Sequence, residues 1–90
     1  MNIQDKDVTG GEFTVEVFSP RTPEPMKFTW PKLIEVGKAA DEAAQAFKYE
    51  AGTPTFQNKD GRVLGREETL LKAGVKDFDQ LELTDKGGGV

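Results

Sequence analysis

The side chains that most often carry catalysis are missing from this sequence of 90 residues, which contains no cysteine and no histidine. Without cysteine there is no thiolate nucleophile, no disulfide and no cysteine zinc site. Without histidine, the commonest general base and a favoured transition-metal ligand are both absent. Carboxylates, lysines, hydroxyl side chains and one tyrosine remain. The sequence therefore predicts that the chain is not an enzyme and holds no metal or other cofactor.

Two groups of carboxylates are the remaining candidates for acid–base or cation chemistry. The first contains Asp77, Asp79, Glu82 and Asp85, whose spacing matches no EF-hand loop. The second is Glu67-Glu68, which gives no acid–base signal without a partner that shifts the pKa of one carboxyl group. We interpret both groups as solvated surface.

The backbone offers a further candidate, because Gly87, Gly88 and Gly89 follow one another and precede Val90. Glycine lacks a Cβ and adopts backbone conformations that are closed to other residues. On a chain of unknown fold, such a run is most often a disordered end or a remnant of cloning. Its interpretation therefore depends on the elements that precede it.

Composition indicates one soluble domain, with 31% charged and 36% hydrophobic residues. The net charge of −4 and the lack of a basic run disfavour a nucleic-acid partner. No segment approaches the roughly 18 consecutive apolar residues of a membrane span. Residues 1–11 are polar and lack the apolar stretch of a secretory signal. We therefore expect a cytoplasmic monomer that binds neither nucleic acid nor membrane.

The first third of the chain predicts a β-hairpin. Apolar residues alternate in two segments, as in half-buried strands: Phe13, Val15 and Val17, then Met26, Phe28 and Trp30. Residues 19–25 contain three prolines and predict a loop, because proline cannot donate to a strand ladder. Pro31 ends the second strand.

An alanine-rich segment then predicts one helix that runs to about Tyr49. Its apolar residues recur with a period of 3.6: Val36, Ala39 or Ala40, Ala43 and Phe47. Gly37 is a poor residue for a helix interior, so the predicted start lies between Leu33 and Lys38.

The last third predicts short elements. Residues 55–57 and 62–64 are two strands around a turn at Asn58-Lys59-Asp60-Gly61. Residues 69–75 form a single helical turn that Gly74 closes. Residues 80–84 are a final strand with Leu81 and Leu83 on one face.

This order of elements resembles the β-grasp fold of ubiquitin over roughly residues 13–89. The most specific matching stretches are Asp60-Gly61-Arg62-Val63-Leu64, Thr69-Leu70, Ala73-Gly74-Val75, Asp79-Gln80-Leu81-Glu82-Leu83 and the glycine run. The chain resembles more closely the ubiquitin-like proteins of bacterial gene clusters that encode activating-enzyme, conjugating-enzyme and JAB-type peptidase relatives.

The resemblance implies an α+β fold of the ubiquitin-like β-grasp type. Its mixed sheet has about four to five strands, the first and last strands pair in parallel at the centre, and one main helix packs on one face. Residues 1–11 would be a flexible lead, residues 12–85 the ubiquitin-like domain and residues 86–90 a flexible tail. The expected core is Val15, Val17, Met26, Phe28, Val36, Ala40, Ala43, Phe47, Phe56, Leu64, Leu70, Val75, Leu81 and Leu83.

The resemblance also implies a protein modifier whose reactive group is a glycine carboxylate. An activating enzyme would adenylate that carboxylate with ATP, and a conjugating enzyme would pass it to a lysine amine. The processing and conjugation tail is Gly87, Gly88, Gly89 and Val90. Because Val90 follows the glycines, a peptidase must first cut after Gly89 or Gly88, or else Val90 blocks activation.

Two alternatives remain open at the level of sequence. A ubiquitin-fold interaction module that is never conjugated, such as a subunit of a secretion or oxygenase complex, would explain Val90. A sulfur carrier, which forms a thiocarboxylate, is disfavoured because such carriers usually end at the diglycine itself.

Two further expectations concern the surface of the domain. Lys48 and Lys59 are candidate acceptors for chain formation, although ordinary surface usage explains any single lysine. The exposed isoleucine, valine and histidine of ubiquitin align near Gln57, Thr84 and Glu82. Generic ubiquitin-binding domains should therefore not bind this chain.

Overall fold

The computed structural model of the chain describes residues 11–20, 22–48 and 52–85. The chain forms, in order, β1 (Glu12–Ser19), β2 (Thr22–Pro31), α1 (Val36–Ala46), β3 (Pro54–Gln57) and β4 (Gln80–Asp85). Within these residues, no helix is long and apolar enough to cross a membrane. Residues 1–10 of the predicted lead over 1–11, and the predicted tail over 86–90, lie outside the described residues.

The four strands form one mixed sheet in the order β2-β1-β4-β3. β1 pairs with β2 in antiparallel and with β4 in parallel, where Val17 lies opposite Leu81. β3 pairs with β4 in antiparallel, where Phe56 lies opposite Leu83. The parallel pair of first and last strands at the centre of the sheet is thus confirmed.

Helix α1 covers one face of the sheet and closes the core. Most predicted core residues are buried: Val15, Val17, Val36, Ala40, Ala43, Phe47, Phe56, Leu64, Leu70, Val75, Leu81 and Leu83. Phe28 is only partly buried against this cluster. Five buried residues were absent from the predicted core: Phe13, Trp30, Ala39, Ala44 and Ala73.

The prediction that Met26 belongs to the core is wrong, because 38% of this residue is exposed. Met26 lies opposite Val17 on the outermost strand, immediately beside a shift in the β1–β2 register. Alternation alone identified the face of the strand but could not show that the strand forms the edge of the sheet.

The predicted loop over residues 19–25 is also wrong, because β2 begins at Thr22 and includes Pro23 and Pro25. β2 has a neighbour on one side only. A proline is tolerated on an edge strand or at a bulge, where its missing N–H interrupts no ladder. The hairpin connection is therefore much shorter than the proline content indicates.

Helix α1 begins at Val36, within the predicted window, and ends at Ala46, earlier than predicted. Its first N–H groups need no side-chain cap, because Val36 N–H donates to the Glu68 carbonyl (2.7 Å) and Gly37 N–H to the Arg66 carbonyl (2.9 Å). At the other end, Lys48 adopts a left-handed φ of 65°. Tyr49 lies outside the described residues.

The turn at residues 58–61 forms as predicted, with Gly61 at φ 87°. The Asn58 side-chain oxygen accepts hydrogen bonds from the N–H groups of Asp60 and Arg62, each at 3.0 Å.

The predicted return strand over residues 62–64 is wrong. Among the described residues, this segment forms an isolated bridge between Gln57 and Val63 and no regular strand. Leu64 N–H still donates to the Phe56 carbonyl (2.8 Å), and Leu64 is buried.

The single turn over residues 69–75 is confirmed. Ala73 N–H donates to the Thr69 carbonyl (2.9 Å) and Val75 N–H to the Leu70 carbonyl (3.1 Å). Gly74 closes it at φ 88°, a conformation that favours glycine. This turn buries Leu70 beneath the beginning of α1.

Trp30 links the edge strand to the helix. Its indole N–H donates to a Glu42 carboxylate oxygen (2.8 Å), and its ring stacks on Phe28 with centroids 4.8 Å apart.

Replacing Trp30 with phenylalanine keeps an aromatic ring but removes the donor, and we expect a loss of about 1–3 kcal/mol in the free energy of unfolding. Urea denaturation of a double-mutant cycle with Glu42→Ala measures this. A coupling energy near zero would contradict it.

Candidate functional site

The structure describes the base of the predicted reactive tail, while residues Gly87–Val90 lie outside the described residues. Asp85 is the last residue of β4 and is 8% exposed. Its carboxylate accepts hydrogen bonds from Gly52 N–H (2.9 Å) and Thr53 N–H (3.1 Å), with the Thr53 hydroxyl 3.3 Å away. Hydrogen bonds therefore join the end of β4, which precedes the predicted tail, to the segment that leads into β3.

The carboxylates of the predicted acidic group do not gather into one site. Asp77 accepts from Thr14 N–H (2.7 Å), whereas Asp79 accepts from Lys76 N–H (3.0 Å). Within residues 11–20, 22–48 and 52–85, no three acidic side chains lie close enough to hold a metal ion. The interpretation as solvated surface is wrong for Asp85, which is buried and hydrogen-bonded.

The outer face of the sheet carries the positions that align with the recognition surface of ubiquitin. Gln57 lies opposite Glu82 across β3 and β4, and Thr84 lies opposite Thr55. Gln57 and Glu82 also line an open groove of about 390 Å³ beside Phe18. The three aligned positions are themselves polar and lack the apolar side chains that ubiquitin presents there.

The two candidate acceptor lysines lie on different elements. Lys48 is exposed just beyond the end of α1, and Lys59 is exposed in the turn over residues 58–61. Lys59 also lines the groove of the outer face. Both amines are accessible to an incoming acyl group, but the structure gives neither of them a distinguishing partner among the described residues.

Arg66 is a structural residue of this region that sequence reasoning missed. Its Nε–H donates to the Pro54 carbonyl (2.8 Å), and its Nη2 group donates to the Gly37 carbonyl (3.1 Å) and to Asp41 (2.8 Å). It thereby joins the first turn of α1 to the beginning of β3. The glycine at position 37, unusual inside a helix, was the available signal: a Cβ there would lie 2.9 Å from the guanidinium.

The chain matches no protein-family model and no curated protein. Solved structures do match it. The ubiquitin of Caldiarchaeum subterraneum is 22% identical, with a TM-score of 0.73 over 89% of this chain and 100% of that chain.

Two further structural neighbours come from larger assemblies. A chain of the toluene 4-monooxygenase HD complex is 10% identical, with a TM-score of 0.74 over 84% of this chain and 100% of that one. The ubiquitin-like domain of the Mycobacterium tuberculosis type VII secretion protein ECCD1 is 15% identical, with a TM-score of 0.63 over 83% of this chain and 99% of that one. At these identities the likeness establishes the fold alone. The chain has the ubiquitin-like β-grasp fold, as its sequence predicted.

Proposed function

We propose that this chain is a ubiquitin-like protein modifier, processed after the glycine run and attached to targets through a glycine carboxylate. The observation that carries the proposal is the order of parts. Asp85 pins the end of β4 to the domain, and the glycine run begins two residues later, at Gly87. A side-chain-free segment that starts where the rigid domain ends suits a narrow enzyme channel.

The chemistry of this proposal takes place on the chain and uses none of its side chains. A peptidase of the JAB type hydrolyses the bond after Gly89 or Gly88 and leaves a carboxylate. That carboxylate attacks the α-phosphate of ATP, which gives an acyl adenylate and releases pyrophosphate. A cysteine thiolate of the activating enzyme displaces AMP to form a thioester. After transfer to the conjugating enzyme, a target lysine amine displaces the thiolate, and an isopeptide bond forms.

A reconstituted reaction tests the proposal. The full chain is incubated with a JAB-type peptidase and an activating enzyme of its native host, and intact mass and ATP–pyrophosphate exchange are measured. We expect a product that ends at Gly89 or Gly88, then ATP-dependent exchange and a thioester that a thiol reductant cleaves. The matched control is Gly88→Val with Gly89→Val, whose Cβ branches should block both steps. A wild-type chain that keeps Val90 and supports no exchange would contradict the proposal.

A second candidate is a ubiquitin-fold subunit that is never conjugated. The structural neighbours from a monooxygenase complex and from a secretion protein favour it. Deleting Gly87–Val90 should then leave the binding of its partner unchanged. A sulfur carrier would instead show, on the trimmed chain, the mass change of one oxygen replaced by sulfur.

A further inference from the structure

Phe78 is the most exposed large apolar residue among those described, with 76% of its surface accessible. It lies in the loop that leads into β4 and adopts a left-handed backbone, with φ 65°. An exposed aromatic ring on a disfavoured backbone calls for an explanation, because neither property stabilises the fold.

The loop around Phe78 is held firmly against β1. Thr14 N–H donates to the Asp77 carboxylate (2.7 Å), and Phe78 N–H donates in return to the Thr14 carbonyl. Glu16 N–H donates to the Asp79 carbonyl (2.9 Å). These bonds hold the backbone of residues 77–79 against β1 while Phe78 keeps its left-handed conformation.

The other left-handed positions have local explanations. Gly61 and Gly74 are glycines, for which this conformation costs little. Lys48 is a polar residue beyond the end of α1, where left-handed residues commonly end helices. At position 78 a residue with a Cβ is disfavoured, and its ring gains little from burial. Strain of this kind tends to persist where a function requires it.

A second exposed aromatic ring lies on the same face of the sheet. Phe18 points outward from β1, is 36% exposed and lines the groove next to Gln57 and Glu82. Phe78 lies beside Thr14 and Glu16, at the other end of the outward-facing positions of β1. Thr14 and Phe18 are four residues apart on β1, so their Cα atoms are separated by roughly 13 Å along the strand.

The charges around the two rings are predominantly negative. Six carboxylates and three amines belong to the outward positions of the strands and their adjoining turns: Glu12, Glu16, Asp60, Asp77, Asp79, Glu82, Lys27, Lys59 and Lys76. Like charges repel, so this balance disfavours nucleic acid, an anionic membrane and a second copy bound through the same face. It complements a basic protein surface.

We propose that this outer face, with Phe18 and Phe78 as its two anchors, docks a protein partner that presents two apolar pockets within a rim of arginine and lysine. The rings supply exposed apolar area, and the carboxylates select the basic rim. The proposal does not depend on conjugation of the chain, since it concerns the surface of the domain and not its tail.

The test uses the full chain and a phage-displayed library of random peptides as the probe. We expect enriched peptides to combine aliphatic residues with arginine or lysine, and to bind less tightly as salt concentration rises. Phe78→Gly and Phe18→Thr should each weaken binding at least about tenfold. The control Leu33→Ala removes another exposed apolar side chain, which is 54% accessible, and should leave binding unchanged.

Thermal unfolding separates docking from folding. Phe78→Gly should unfold at the same or a higher temperature than the wild type, because glycine relaxes the left-handed backbone. Three results would overturn the proposal: the enriched peptides are acidic, they still bind both aromatic variants, or no peptide is enriched. Self-association of the chain that Phe78→Gly abolishes would overturn it as well.

Discussion

A chain that lacks Gly87–Val90 should form no covalent adduct, yet it should unfold at the same temperature as the full chain to within about 2 °C. The first expectation follows because the proposed chemistry consumes a glycine carboxylate and uses no other group. The second follows because the described hydrophobic core lies between Phe13 and Leu83, and Asp85 is the last of the described residues and is anchored by its carboxylate. Denaturing gels of the tagged chain from its native host measure adducts, and calorimetry measures the unfolding temperature.

Two chains, one ending at Gly89 and one ending at Gly88, are the informative controls for this deletion. One of them should form adducts without the peptidase, because it already ends at the carboxylate that processing would produce. Adducts that persist after the deletion would show that attachment uses another group. Loss of adducts from both shortened chains would contradict the precursor that we propose.

Arg66→Ala should be the most destabilising change outside the apolar core. The substitution leaves the Pro54 and Gly37 carbonyls without their charged donor. Hydrogen bonds from charged groups contribute about 1.5–3 kcal/mol each when partly buried. The ion pair with Asp41 adds little, because the Asp41 side chain is 57% accessible. We expect a loss of about 2–3 kcal/mol, which lowers the unfolding temperature by roughly 10–20 °C.

Two control variants distinguish the loss of the Arg66 hydrogen bonds from the general effect of removing a positive charge. Arg62→Ala removes an arginine whose side chain is 60% exposed and lies 3.9 Å from Glu68, and it should cost less than about 1 kcal/mol. Gly37→Ala should destabilise the chain although alanine favours helices, because its Cβ would meet the Arg66 guanidinium. A Gly37→Ala variant more stable than the wild type would contradict the role of Arg66.

Periodicity identified individual strands because its signals are local, whereas the pairing of those strands was expected from the resemblance to ubiquitin. The alternation of Phe13, Val15 and Val17 and of Leu81 and Leu83 identified two strands whose inward faces are buried. The position of a strand within the sheet is not a local property. Pro23 and Pro25 were therefore interpreted as loop residues, although an edge strand accommodates them.

The structural residues of the candidate site could not be predicted either, because their partners are distant along the chain. Asp85 contacts a segment 32 to 33 residues away, and Arg66 contacts Gly37 across 29 residues. Spacing along the sequence contains no signal for such pairs. The glycine run was visible because its chemistry depends on an absence of side chains, which composition shows directly.

Attachment to a target can be detected directly, because a site for trypsin precedes the glycine run. Lys86 lies immediately before Gly87, so trypsin should cut there and leave only glycines on the modified lysine of a target. The measurement is mass spectrometry of tryptic peptides from tagged chain purified from its native host under denaturing conditions. We predict lysines that carry three glycines if processing occurs after Gly89, or two if it occurs after Gly88. Targets without any glycine remnant, together with a chain that still ends in Val90, would contradict the account.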